Sequence, residues 1–177
     1  QQHHEGLIAL SACLSGEVPY LIGQKDMDGA IRTADEYREI FGKDHYYLEV
    51  QANGLEHQRI ANRGLVEIHQ KLGIPLAGTN DCHYLKKEDA RPHDVMLCLQ
   101  TGKTMTEPNR LRFDTDQLYV KSSSEMIAEF AELPEAVANT CRIADQCDLK
   151  LAFNNTYLPQ YRVPHGYTTE SYLELLA

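Results

Sequence analysis

Asp81 and His83 stand at a spacing that suits metal chemistry, in the run Ile74-Pro-Leu-Ala-Gly-Thr-Asn-Asp-Cys-His-Tyr-Leu85. On an extended backbone, residues i and i+2 point to one side, so this carboxylate and imidazole would project together. A hard oxygen beside an imidazole nitrogen is a donor pair for a divalent ion. The plainer alternative makes Asp81 the cap of a following helix and His83 a surface histidine. A third donor is Cys13, in Ser-Ala-Cys-Leu-Ser-Gly, where the alternative is a buried thiol packing as a small hydrophobe.

Both sites follow short apolar runs of buried-strand type, Gly6–Leu10 and Ile74–Gly78, the second set off by Gly73 and Pro75. Tyr46–Gln51 is strand-like by its aromatic and β-branched content. Between them the pattern predicts a short helix capped by Ser15 and running to about Gly23, a second from Asp26 to Phe41 stopped by Gly42, and a third from Leu55 to Leu72. The inner stripe of the third is Leu55, Ile60, Leu65, Ile68 and Leu72, with His57 and His69 as solvated histidines. Glu49 reads as an exposed edge carboxylate. Strand, helix, strand, helix, strand, with crossovers this long, is α/β architecture with parallel pairing. The strand ends would then bring Cys13, the Glu49 region, Asp81 and His83 to one rim.

Past His83 the pattern becomes helical. A helix from Lys86 to about Leu99 carries His93, Met96 and Leu97 towards the rim, and Thr101-Gly102-Lys103 ends it without forming a GxxxxGK phosphate loop. Extended pieces at Leu111–Phe113 and Leu118–Val120 flank a turn at Asp114-Thr115-Asp116. Ser122–Ser124 caps a helix through Phe130, and Pro134 opens another to about Cys147, with Val137, Cys141, Ile143 and Ala144 inward. Leu149–Phe153 reads as extended and residues 154–166 as a linker. A net charge of −9 disfavours direct binding of a polyanion. Five cysteines without a CxxC pair imply a reducing, cytoplasmic setting, and no apolar run reaches membrane-spanning length. Both termini read as cut, so a piece of a longer protein is expected.

Six stretches in order resemble one family: Gly6 to Gly16, Tyr47-Leu-Glu-Val-Gln51, Thr79-Asn-Asp-Cys-His-Tyr84, His93 to Lys103, Asn109-Arg-Leu-Arg-Phe113 and Leu133-Pro-Glu-Ala136. They resemble the polymerase-and-histidinol-phosphatase (PHP) domain region at the N-terminus of bacterial DNA polymerase III alpha subunits of the DnaE type. The resemblance implies a distorted (β/α)7 barrel, with residues 1–105 as its C-terminal part. Residues 106–153 would be a hairpin and helices packed on it, and 154–177 a linker and the start of a polymerase palm. It implies a rim metal site to which Asp81 and His83 give the last motif and Cys13 an earlier ligand. The ion would be zinc or manganese, with magnesium serving the parent polymerase. The family's His-x-His motif is absent, since His3 and His4 are adjacent, and its remaining ligands are expected upstream.

The function implied is that of a fragment of a replicative DNA-directed DNA polymerase, a nucleotidyltransferase of DNA replication, with the barrel mainly structural. The alternative is a metal-dependent phosphoesterase or a proofreading 3'-5' exonuclease. No catalytic palm carboxylates are expected in this segment, and Asp114 and Asp116 read as turn formers. The implied partners are the rest of the alpha subunit and a proofreading exonuclease subunit, with DNA and dNTPs reached only through the parent protein.

Overall fold

A buried parallel sheet needs its strands joined by crossovers, and the helical spacing between the apolar runs supplies them. A computed structural model describes residues 3–177; Gln1 and Gln2, which the sequence reading places ahead of the first strand, lie outside the described residues. Three strands, β1 (Ala9–Leu10), β2 (Tyr46–Gln51) and β3 (Leu76–Thr79), pair in parallel in the order β1-β2-β3. Leu10 lies opposite Tyr47, and Gln51 opposite Thr79. β1 is shorter than the apolar run predicts because a turn intervenes: Gly6 adopts φ +74° and the Leu7 N–H bonds back to the His4 carbonyl.

The helices α1 (Glu17–Gly23), α2 (Met27–Phe41) and α3 (Glu56–Leu72) precede β2 or β3. Asp26 caps α2 by accepting the Gly29 N–H at 2.9 Å, and Gly73 ends α3 in the left-handed conformation. Ser15 does not cap α1. The cap is Gly16, whose Cβ would lie 2.1 Å from the Ser11 carbonyl oxygen, so only glycine fits the turn out of β1. Tyr46, Leu48, Val50 and Leu76 share one core with Val18 and Ile22 of α1, Ala30 and Ala34 of α2, and Leu65 and Ile68 of α3.

A 3-10 turn (Lys87–Asp89), α4 (Ala90–Thr101), α5 (Ser123–Glu129) and α6 (Pro134–Gln146) follow β3. Phe130 and Ala136 join the same core, with the Phe130 ring against Gly78. Leu111–Phe113 and Leu118–Val120 are not strands. Tyr119 instead forms an isolated parallel bridge with Tyr84. The chain divides into a unit that ends at Cys147 and a second from Asp148 to Ala177. The second holds α7 (Thr169–Leu176), capped by Thr168, with Tyr172 packed on Tyr161 and Tyr167. No helix among the described residues is long and apolar enough to cross a membrane.

Several expectations are corrected. Ile60 is 40% exposed; the buried stripe of α3 is Gln58, Ala61, Leu65 and Ile68, in which a polar residue occupies an inward position. Cys141 is exposed for the same reason: α6 turns Ala136 and the buried amide Asn139 inward. Asn139 donates to the Leu76 carbonyl at 2.7 Å, on the β3 edge that faces away from β2. His57 is exposed as expected, whereas His69 is not a solvated histidine. Its Nδ1 lies 2.8 Å from the Ile74 carbonyl and its Nε2 3.2 Å from Glu135, tying α3, the β3 approach and α6 together.

Two outcomes are expected. Gly64 of α3 packs so closely on α1 that an added Cβ would meet Ile22 Cγ2 at 2.6 Å. Gly64→Val is expected to lower unfolding free energy by about 1–3 kcal/mol, read from the urea midpoint, with part of the loss recovered in an Ile22→Ala background. Glu125 receives hydrogen bonds from the Ser122 hydroxyl, the Tyr119 hydroxyl and the Ser122 N–H, which pull its carboxyl down to about 2. A depressed carboxyl pKa contributes stability above the unfolded value of about 4.3, and this is lost as pH falls towards the folded value. A carbon-13 titration should therefore find Glu125 ionised at pH 3.5, and Ser122→Ala should move its midpoint upwards.

Candidate functional site

β1 stops opposite Tyr47, four residues before β2 ends at Gln51. The β2 edge that faces β1 is thus left without a strand beyond Tyr47, and side chains complete it. Ser11 Oγ accepts the Glu49 N–H at 2.8 Å. The Asn62 amide of α3 accepts the Gln51 N–H at 3.2 Å and donates to the Gln51 carbonyl at 2.8 Å, as a neighbouring strand would. Glu49 is therefore no edge carboxylate. It lies half-buried on the central strand, accepting the Thr79 hydroxyl at 2.5 Å and the Gln51 side-chain amide at 3.1 Å.

Beside this end of β2 lies a cavity of about 900 Å³, with Gln51, Asn53, Gln58 and Asn62 among its lining residues. These amides bond to one another: Asn53 Nδ2 donates to Gln51 and Gln58, and Gln58 Nε2 to Asn62 at 2.9 Å. These amides are occupied in holding the backbone and one another, while Arg59, Arg63, Glu129 and Glu132 also line the cavity.

At the end of β3, Asn80 is 5% exposed and fully engaged. Its Nδ2 donates to the carbonyls of Gln117 (2.8 Å) and Tyr119 (2.7 Å), and its Oδ1 accepts from Lys121 Nζ at 2.9 Å. Burial pushes the Lys121 ammonium below the ordinary lysine range, partly offset by the Glu129 carboxylate. Asp81, half-buried, then takes φ +51°, a left-handed conformation more tolerable to Asp than to most residues. The extended backbone assumed by the two-residue spacing thus ends at Asn80, and Asp81 caps no helix, since Lys86 opens the next turn.

His83 is exposed. Its Nδ1–H donates to the Asp81 carbonyl at 2.7 Å, leaving the lone pair on Nε2 free. Its ring sits 4.9 Å from Phe113 and 5.5 Å, edge on, from His93 of α4, which also contacts Tyr84. Burial lowers the His93 pKa, with the His83 charge adding to the shift. Asp94, next to His93, is held ionised by a two-point pair with Arg110. His93 thus covers this end as expected, Leu97 is buried, and Met96 is exposed.

Cys13 lies in the turn after β1, half-buried, its carbonyl accepting the Gly16 N–H at 2.8 Å. β2 separates β1 from β3, which puts those two strands roughly 10 Å apart. No group of three or more His, Cys, Asp or Glu able to hold a metal ion occurs among the described residues. The donor chemistry of His83 nonetheless fits a metal. A ligating histidine commonly donates its second ring N–H to a carbonyl, which fixes the tautomer and presents the other nitrogen. Asp81 and His83 are at most part of a ligand set.

Sequence reasoning missed Asn80, Lys121, Asn62 and Gln58. Buried amides beside a strand end carry a signal only after the register is known, and Lys121 is brought to Asn80 from 41 positions away.

Residues 1–53 match the PHP domain family, a stretch that includes Cys13 and ends before Asp81. The DNA polymerase III subunit alpha of Treponema pallidum is 43% identical over 97% of this chain. Those of Borreliella burgdorferi and Thermus aquaticus are each 40% identical over 99% of it. The chain spans about 15% of the length of each of these curated relatives. Along nearly its whole length, then, the chain is homologous to one segment of the bacterial DNA polymerase III alpha subunits, a segment whose first part is PHP-domain sequence.

Proposed function

We propose that this chain is a segment of a replicative DNA-directed DNA polymerase and contributes the C-terminal part of its PHP barrel, in a mainly structural role. The observation that carries this is the unbroken similarity to polymerase III alpha subunits, which continues past the Asp81–His83 motif through the helices beyond it. A barrel alone would not require that continuation. In this reading residues 1–105 complete the barrel, 106–153 pack on it, and 154–177 lead towards the palm. The carboxylates that hold magnesium for nucleotide transfer lie elsewhere in the parent protein. DNA and dNTPs are engaged by the parent, a proofreading exonuclease subunit is a candidate partner, and the setting is the cytoplasm. Exposed Leu149, Leu151, Phe153, Tyr157 and Leu158 support the reading, being large apolar groups suited to packing on further protein.

A second reading, a phosphoesterase or proofreading 3'-5' exonuclease, is supported by the single free nitrogen of His83. His83 presents Nε2 with its other nitrogen fixed, and Asp81 and Cys13 supply an oxygen and a sulfur donor at strand ends. A bound zinc or manganese ion would lower the pKa of its water and neutralise phosphate charge. Here Asp81 and His83 would hold the ion, with Cys13 as an earlier ligand, and the Asp81 carbonyl would keep the His83 tautomer.

The two readings separate in assays on the longest natural polypeptide that carries this chain. The structural reading expects magnesium-dependent extension of a primed template, and expects stripping of zinc and manganese to lower the thermal midpoint while extension by the folded protein persists. Absence of primer extension by that polypeptide would reject it. The phosphoesterase reading expects zinc- or manganese-dependent release of nucleotides from a DNA 3' end, abolished by Asp81→Asn and by His83→Ala. Release that survives both substitutions, or none with either metal, would reject that one.

A further inference from the structure

We propose that Lys121 is a positioning residue for the Asp81–His83 pair, setting the backbone that carries both donors from outside the sheet; this rests on the metal reading above. Lys121 Nζ donates to three acceptors: the Ala52 carbonyl at 2.8 Å, Asn80 Oδ1 at 2.9 Å and the Gln117 carbonyl at 3.0 Å. An ammonium has three protons, so its hydrogen-bonding capacity is fully used. Two of the acceptors belong to the residues just past β2 and β3. A single side chain therefore ties both strand ends to the segment Gln117–Lys121.

That segment grips the motif on both sides of Asp81. Before it, the Asn80 amide is fixed by the Gln117 and Tyr119 carbonyls. After it, the N–H groups of His83 and Tyr84 both donate to the Leu118 carbonyl, at 2.8 and 3.3 Å, and Cys82 Sγ donates to the Tyr119 carbonyl at 3.4 Å. Asp81 itself, at φ +51°, is held by what flanks it. Its carbonyl is the acceptor that sets the His83 ring, so a shift of Asn80 or Leu118 would move the carboxylate and turn the imidazole together. Methionine at position 121 has comparable length and no donors. It would leave Ala52 and Asn80 acceptors unpaired and release Asn80 to rotate. Arginine restores charge and several donors.

The test is zinc affinity by competition with a chromophoric chelator, on the longest natural polypeptide that carries this chain, well below each variant's unfolding midpoint. Zinc that disappears in His83→Ala defines the site and subtracts any bound elsewhere. Lys121→Met is expected to weaken this zinc by about 10–100-fold and Lys121→Arg to recover most of the loss, the scale seen when outer-shell partners of metal ligands are removed. A Lys121→Met protein that melts earlier but binds the His83-dependent zinc as tightly as wild type would overturn the proposal, leaving Lys121 a purely structural tie. If the wild type holds no His83-dependent zinc, the metal reading fails and the positioning role fails with it.

Discussion

A backbone N–H or carbonyl buried without a partner costs about as much as a lost hydrogen bond, and the upper end of this sheet would be full of them. β1 ends opposite Tyr47 while β2 and β3 run on to Gln51 and Thr79. Beyond Tyr47 the central strand has a neighbour on one side only. Side chains meet this deficit, Ser11 at Glu49 and Asn62 at Gln51, while Lys121 bonds the Ala52 carbonyl just past β2 and Asn139 the Leu76 carbonyl on the far edge of β3. Each comes from a different element. The sheet's backbone pairing is therefore completed by side chains of α3, α6 and the Gln117–Lys121 segment.

The same requirement explains what could be read in the sequence and what could not. The α/β order, the parallel strands and the ends of α2, α3 and α6 were legible, because apolar spacing, Asp26, Gly42, Gly73 and Pro134 are local signals. The inward faces of α3 and α6 were misread where Gln58 and Asn139 face the core. A polar residue placed inward to serve a strand end looks, in sequence, like a gap in the apolar stripe. Glu49 was misread similarly: a carboxylate in a strand suggests solvent exposure, yet this one is half-buried and accepts hydrogen bonds from Thr79 and Gln51. Cys13, Asp81 and His83 were visible as donors near strand ends. The left-handed backbone at Asp81 was not, since it depends on contacts with residues more than 30 positions later.

The motif and the segment that grips it are far apart in sequence but continuous in hydrogen bonding. The PHP family match ends at residue 53, while similarity to the polymerase subunits continues across both the motif and the 117–121 segment. Cys13 lies in the first stretch, and Asp81, His83 and Lys121 in the second. Any role shared by these residues belongs to the longer unit, not to the PHP-matching stretch alone.

The conformation of Asp81 is the sharpest local expression of this dependence. A non-glycine residue in a sparsely populated backbone region costs on the order of 1–3 kcal/mol and persists where its surroundings over-determine it. Here the surroundings are countable: Asn80 is bonded through both ends of its amide, and His83 through its N–H and its ring. A relaxed extended backbone at Asp81 would break the His83 bond to the Asp81 carbonyl and free the imidazole. The left-handed turn and the fixed tautomer are thus coupled, and a sheet that ended with its backbone fully paired by strands would have had no reason to make that turn.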